Sequence, residues 1–121
     1  NNEAFIAWAD FRDGANADIY SQRLDVTMSA IFTDNGIQVT SSQDQDLNPR
    51  ATFVNNDISF VSWKQGDESS KIYYQFVDTE GLVFSEPKPI SSSIAIQTAP
   101  RVKRNNTGDI FINWKVSLLS L

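Results

Sequence analysis

Phe5-Ile6-Ala7-Trp8 returns as Phe60-Val61-Ser62-Trp63 and again as Phe111-Ile112-Asn113-Trp114, that is, Phe, then Ile or Val, then any residue, then Trp. The three tryptophans stand 55 and 51 residues apart, and the match spreads outward from them. Pro49-Arg50 and Pro100-Arg101 precede the second and third copies, each proline fourteen residues ahead of its tryptophan, with Asn55-Asn56 and Asn105-Asn106 in between. Behind the first two copies run Ile19-Tyr20-Ser21-Gln22 with Asp25, and Ile72-Tyr73-Tyr74-Gln75 with Asp78, displaced by 53 residues throughout. So many residue types at near-constant offsets mark an internal repeat of about 50 residues with length changes confined to loops. Its recurring positions are Phe5, Trp8, Tyr20 and Gln22, then Phe60, Trp63, Tyr73 and Gln75, then Phe111 and Trp114.

Inside each unit the apolar residues alternate. Ile58 and Phe60 oppose Val61 and Trp63, and Ile110, Ile112, Trp114 and Val116 oppose Phe111, the period-two pattern of strands. No window sustains a helical period. Turn-forming residues fall where strands must end, at Asp13-Gly14, Asn35-Gly36, Asn55-Asn56-Asp57, Glu80-Gly81 and Thr107-Gly108. The middle unit therefore reads as four strands, roughly 50–54, 58–64, 71–78 and a fourth around 82–90. Pro87 and Pro89 make that fourth strand an edge, since proline donates nothing to a ladder. Four-stranded antiparallel units of this length are the blades of β-propellers. A β-sandwich is the competing architecture, but it does not require the same Phe and Trp in every unit. The expected fold is all-β and propeller-like, with a partial unit over 1–48, a complete one over 49–99 and a partial one over 100–121. The first unit lacks its first strand, because Asn1-Asn2-Glu3 aligns with Asn55-Asn56-Asp57; the third holds two strands and a short tail, 116–121. Two and a fraction blades do not close a ring, so the chain is expected to be part of a longer propeller or one contributor to an assembly.

Composition narrows the chemistry. Hydrophobic residues make up 40% of the 121 positions and aromatics 12%, enough to bury a core. The apolar runs are far shorter than the roughly 20 residues of a membrane span. A net charge of −5, with Arg101, Lys103 and Arg104 as the one local basic cluster, argues against a nucleic-acid partner. There is no Cys and no His, which removes disulfides, thiolate ligands, the usual serine triad and any imidazole base from this chain. Carboxylates, Tyr and Lys are left as acids or bases.

Trp8-Ala9-Asp10-Phe11-Arg12-Asp13-Gly14, followed by Asp18-Ile19-Tyr20-Ser21-Gln22-Arg23-Leu24-Asp25, resembles the repeat of bacterial secreted and cell-surface β-propellers, W-x-D-x-R-x-G-x-x-D-I-Y-x-Q-R-L-D. The second unit departs from that pattern: Trp63 is followed by Lys64-Gln65-Gly66, and the counterparts of Asp10 and Arg12 are gone. The resemblance implies a fold and a secreted or cell-surface location, and it implies no particular activity.

Several constellations carry a sharper reading beside a plain one. Asp10, Asp13 and Asp18 around Gly14 are oxygen donors that suit Ca²⁺, or else a polar hairpin in which Arg12 pairs an Asp. Asp44 and Asp46 invite the same two readings. Arg50 and Arg101 occupy equivalent positions, as sugar-carboxylate-binding arginines of sialidase propellers do, but the S-x-D-x-G-x-T-W turn of those enzymes is absent. Tyr73, Tyr74 and the tryptophans suit sugar stacking or packing between blades. Asn105-Asn106-Thr107 fits the glycosylation pattern, a short and common one. Two functions follow. One is a non-enzymatic repeat module, needing no cofactor, that contacts protein or glycan partners. The other is part of a carbohydrate-active propeller hydrolase or lyase whose catalytic residues lie in further blades.

Overall fold

The computed structural model describes residues 2–117, and within them every regular element is a strand. In chain order these are β1 (Ala4–Asp10), β2 (Asp18–Leu24), β3 (Ile37–Gln38), β4 (Asp46–Phe53), β5 (Ser59–Gln65), β6 (Lys71–Val77), β7 (Lys88–Pro89), β8 (Ile96–Arg104) and β9 (Ile110–Ser117). They form three antiparallel sheets, β1-β2-β3, β4-β5-β6-β7 and β8-β9, each a meander in sequence order, and none of them closes on itself. Asn1 and residues 118–121, which include most of the expected tail, lie outside the described part.

The repeat aligns these sheets strand for strand. β1, β5 and β9 carry the Phe-x-x-Trp motif, and β2 and β6 carry Ile-Tyr-x-Gln. Trp8 pairs across to Tyr20 and Trp63 across to Tyr73 in the same register. In both pairs the rings stack, with centroids 6.5 and 6.4 Å apart. Because successive side chains leave a strand on opposite faces, the Phe and the Trp of one motif point to opposite sides of their sheet. The Phe face of the first sheet packs on the Trp face of the second. Ile19, Phe32 and Val39 meet Val61, Trp63 and Val77 there, flanked by Phe5, Ala7, Ala9 and Ala51. Phe5 touches Phe53 of β4 with ring centroids 6.1 Å apart. On the far face of the second sheet Phe60 and Ile72 are buried too, and β8 of the third sheet lies against β4, β5 and β6. Having a neighbour on each side, the second sheet buries Trp63 completely, whereas Trp8 and Trp114 are half-buried and Phe111 is 57% exposed.

Each seam between sheets is closed by the same backbone bond. The N–H of Asp46, first residue of β4, donates to Ala17 O at 3.0 Å, and the N–H of Gln97 in β8 donates to Ser70 O at 2.9 Å. Arg23 ties the first sheet to the second, pairing with Glu3 and donating to Asn56 O at 2.9 Å. Arg104 Nε does so for the third, donating to Val54 O at 2.9 Å.

Two features differ from the sequence reading. The first strands begin at Asp46 and Ile96, ahead of the unit limits expected at 49 and 100. A β-bulge between Leu47 and Arg50, and another between Thr98 and Arg101, carries each strand past its proline. Asn48 and Ala99, just before those prolines, adopt left-handed backbone at φ 54° and 53°. The fourth strand of the middle unit, expected over 82–90, shrinks to Lys88–Pro89 on the outer edge of β6, with one isolated bridge between Val77 and Val83. Two prolines in a short segment leave too few donors for a longer ladder.

Candidate functional site

The hairpin joining β1 to β2 explains the W-x-D-x-R…Y pattern. Trp8 Nε1 donates to Asp10 Oδ2 at 2.9 Å, and Arg12 grips the same carboxylate through Nε (2.9 Å to Oδ1) and Nη2 (2.7 Å to Oδ2). The Arg12 guanidinium also lies over the Tyr20 ring, 3.7 Å from its centroid, and donates to Asn35 O at 2.8 Å. Four motif residues thus form one closed stack, with an ion pair and a cation–π contact sharing one cation. Hydrogen bonds from Arg12 and then Trp8 hold the Asp10 carboxyl far below the usual carboxylate range. Burial raises the Tyr20 phenol, which is only 6% exposed. A calcium ion at Asp10, Asp13 and Asp18 would have to compete with these bonds for Asp10. Among the described residues no group of three or more metal-binding side chains is arranged to hold a metal.

The second sheet keeps the tyrosine and loses its cover. Gln65 stands where Asp10 does and Asp67 where Arg12 does. Among the described residues, Trp63 Nε1 is consequently buried with no partner and no cation lies over Tyr73. Tyr73 instead opens on a cleft of about 500 Å³ between the first and second sheets. One wall is the Gln38–Ser42 segment leaving β3; the other is Val83 with Ser85, Glu86 and Pro87 of the β6–β7 connection, and Gln65 stands at the end. The lining is polar and nearly neutral, with Glu86 its single charge.

Beneath this cleft the two sheets meet at a buried carboxyl. Thr40 Oγ1 accepts from the Ile19 N–H (2.9 Å) and donates to Asp46 Oδ2 (2.8 Å), and Ser42 Oγ donates to the same oxygen at 3.0 Å. Asp46 Oδ1 has no partner among the described residues. Burial pushes the Asp46 carboxyl up to about 6, against the opposing pull of the Thr40 and Ser42 hydroxyls. Asp18, also raised by burial, is held by Gln38 Nε2 at 3.2 Å. At the next seam an amide does the same work: Gln97 Oε1 accepts from the Ile72 N–H at 2.9 Å and its Nε2 donates to Ser91 Oγ at 2.7 Å. These positions lie 51 residues apart, but the exchange of Asp for Gln hides them from a search for identical residues.

The remaining repeat residues sit in frame positions. Gln22 Nε2 donates to Thr33 O, and its Oε1 accepts from the N–H groups of Arg23 and Phe32. Gln75 clips its own loop likewise, donating to Ser85 O and accepting from the Phe76 N–H. Arg50 and Arg101, raised above as sugar-acid ligands, each donate to the carbonyl of the preceding proline. Asn105 Oδ1 accepts from the N–H groups of Thr107 and Asp109, closing the β8–β9 turn that carries the glycosylation pattern. Among the described residues no helix is long and apolar enough to cross a membrane.

No family model, no curated protein and no solved structure matches this chain.

Proposed function

We propose that the chain is a non-enzymatic binding module built from β-propeller blades, serving a secreted or cell-surface protein and contacting protein or glycan partners. What carries this reading is that the first two sheets repeat one plan down to individual bonds, the stacked Trp–Tyr pair and the Gln clip, and that one seam bond recurs where each sheet meets the next. Residues spent on that plan make a rigid frame, and variation is concentrated in connections such as 11–17, 66–70 and 83–87. The chemistry at the main cleft supports contact over catalysis. Its lining offers an aromatic ring, amides, hydroxyls and one carboxylate, a set suited to holding a partner. Further blades, in the same chain or from other chains, are the partners for the two outer sheets.

Glycan and peptide arrays probed with the 121-residue chain test the proposal, followed by product analysis of any glycan retained. Saturable binding without turnover is the expected result. Release of shortened or unsaturated sugars would instead establish the hydrolase or lyase reading.

A further inference from the structure

We infer that the cleft over Tyr73 is a receptor slot for an arginine side chain of a partner protein; this deepens the reading of the chain as a binding module and rests on it. The first sheet supplies the template, since its own guanidinium, that of Arg12, fills the equivalent place, 3.7 Å from the Tyr20 centroid and bonded to a carboxylate and to Asn35 O. In the second sheet the ring is retained and the cation is missing. Tyr73 sits against Trp63 in the same stacked geometry as Tyr20 against Trp8, with interplanar angles of 20° and 25°. Pairing registers place Glu86 as the counterpart of Asn35, because Gln38 pairs with Tyr20 and Pro89 with Tyr73. The slot therefore keeps a main-chain carbonyl at that position and gains the Glu86 carboxylate in its lining. Gln65 offers an amide oxygen where Asp10 stood, and Gln38, whose Nε2 is engaged by Asp18, keeps its Oε1 to accept.

Charge points the same way. Glu86 puts an exposed anion in the lining around a position that a cation occupies in the sister unit, on a chain of net charge −5. A planar guanidinium satisfies such a site better than an ammonium, since it stacks on an aromatic face while its fork of N–H groups reaches separated acceptors. A sugar ring would stack on Tyr73 but gain nothing from the Glu86 carboxylate.

The test is a titration of the chain with N-acetyl-argininamide, followed by Trp and Tyr fluorescence and by NMR. N-acetyl-lysinamide and methyl glycosides serve as comparison probes. The argininamide should bind saturably with a dissociation constant in the ~1 mM range typical of one small group, several-fold tighter than the lysinamide. Gln65→Asp with Asp67→Arg, which refills the slot from within, should weaken it by about tenfold, and the exposed change Glu86→Gln, which leaves the frame untouched, by several-fold. Equal binding of the two amides, or an unchanged affinity in Glu86→Gln, overturns the proposal. Saturable binding of a methyl glycoside in place of the argininamide also overturns it, while leaving the binding-module reading standing. Array binding that persists when no small probe binds would show that only the arginine slot, and not the module, is at fault.

Discussion

Asp46 is a carboxyl placed where its sister repeat carries the amide Gln97, and the two solve one problem with different cost. Gln97 is neutral and bonded at both ends, whereas ionised Asp46 leaves one oxygen buried without a donor. The sign of its pH effect follows. Its pKa in the folded chain, about 6, lies above the ordinary carboxyl value, so folding favours the protonated form. Its contribution to stability is full below the ordinary value and is lost as pH rises through about 6. Asp44, Asp18 and the Thr40 and Ser42 hydroxyls are the groups that face it. Asp46→Asn should therefore unfold at a higher temperature than the parent at pH 7.5 and lose that advantage at pH 4, a contrast that thermal melts at both values will check. Asp10 and Asp25 act in the opposite sense: their pKa values are lowered, by Arg12 and by the Thr27 hydroxyl respectively, so what they contribute is lost on acidification. A second residue-scale prediction concerns Met28, which adopts φ 66° at the turn position where the sister repeat has Gly81 at φ 86°. A side chain in left-handed backbone costs about 1–2 kcal/mol, partly offset by the unfolded-state freedom that glycine brings. Met28→Gly should stabilise the chain by roughly 0.5 kcal/mol in denaturant titration.

Strand pairs are held in register by side chains that replace missing ladder bonds. Asp25 Oδ1 accepts from the N–H groups of Thr27 and Ser29, and Asp78 Oδ1 from those of Glu80 and Leu82, so one Asx turn ends β2 and β6 alike. The Gln clips then fix the return of the chain toward β3 and β7. Removing one by Gln22→Ala leaves the buried Phe32 N–H without its acceptor, a loss of about 2–3 kcal/mol readable in equilibrium unfolding. Gly36 is an element-scale constraint of another kind. A Cβ there would come within 2.6 Å of the Trp8 ring and 2.7 Å of Ser21 O, and its φ of 85° resists side chains in any case. Gly36→Ala should accordingly displace Trp8 and break its bond to Asp10, visible as a shifted tryptophan emission and a lower melting temperature.

For the whole molecule, one motif residue has two energetic weights. Trp63 is fully buried, while Trp8 and Trp114 are half-buried. Trp63→Ala should cost about 3–5 kcal/mol, as large-to-small changes in a packed core do, and Trp114→Ala roughly half as much. Equal losses at the two positions would show that the third sheet packs as tightly as the second.

The all-β character, the alternating faces and the turns at 55–58 and 105–109 were legible because period-two patterning and Asn/Gly turn chemistry are local properties. The recurrence of Phe, Trp, Tyr and Gln likewise located the frame, since identical packing problems demand identical side chains. Three things were decided only by the tertiary structure. The bulges moved the starts of β4 and β8, because a left-handed residue before proline is set by the neighbouring strand and not by local sequence. The seam residues Asp46 and Gln97 matter because their N–H groups meet Ala17 and Ser70 of the preceding unit, more than 20 residues away in the chain, and Thr40 because it joins the Ile19 N–H to the Asp46 carboxyl. The cleft over Tyr73 is made by bringing Gln38–Ser42 opposite Ser85–Pro87, and its vacancy shows only when Tyr20 is seen with Arg12 upon it. Sequence determined the frame, which is repeated and local; the placement of one sheet against the next, which sums many weak long-range contacts, decided the site.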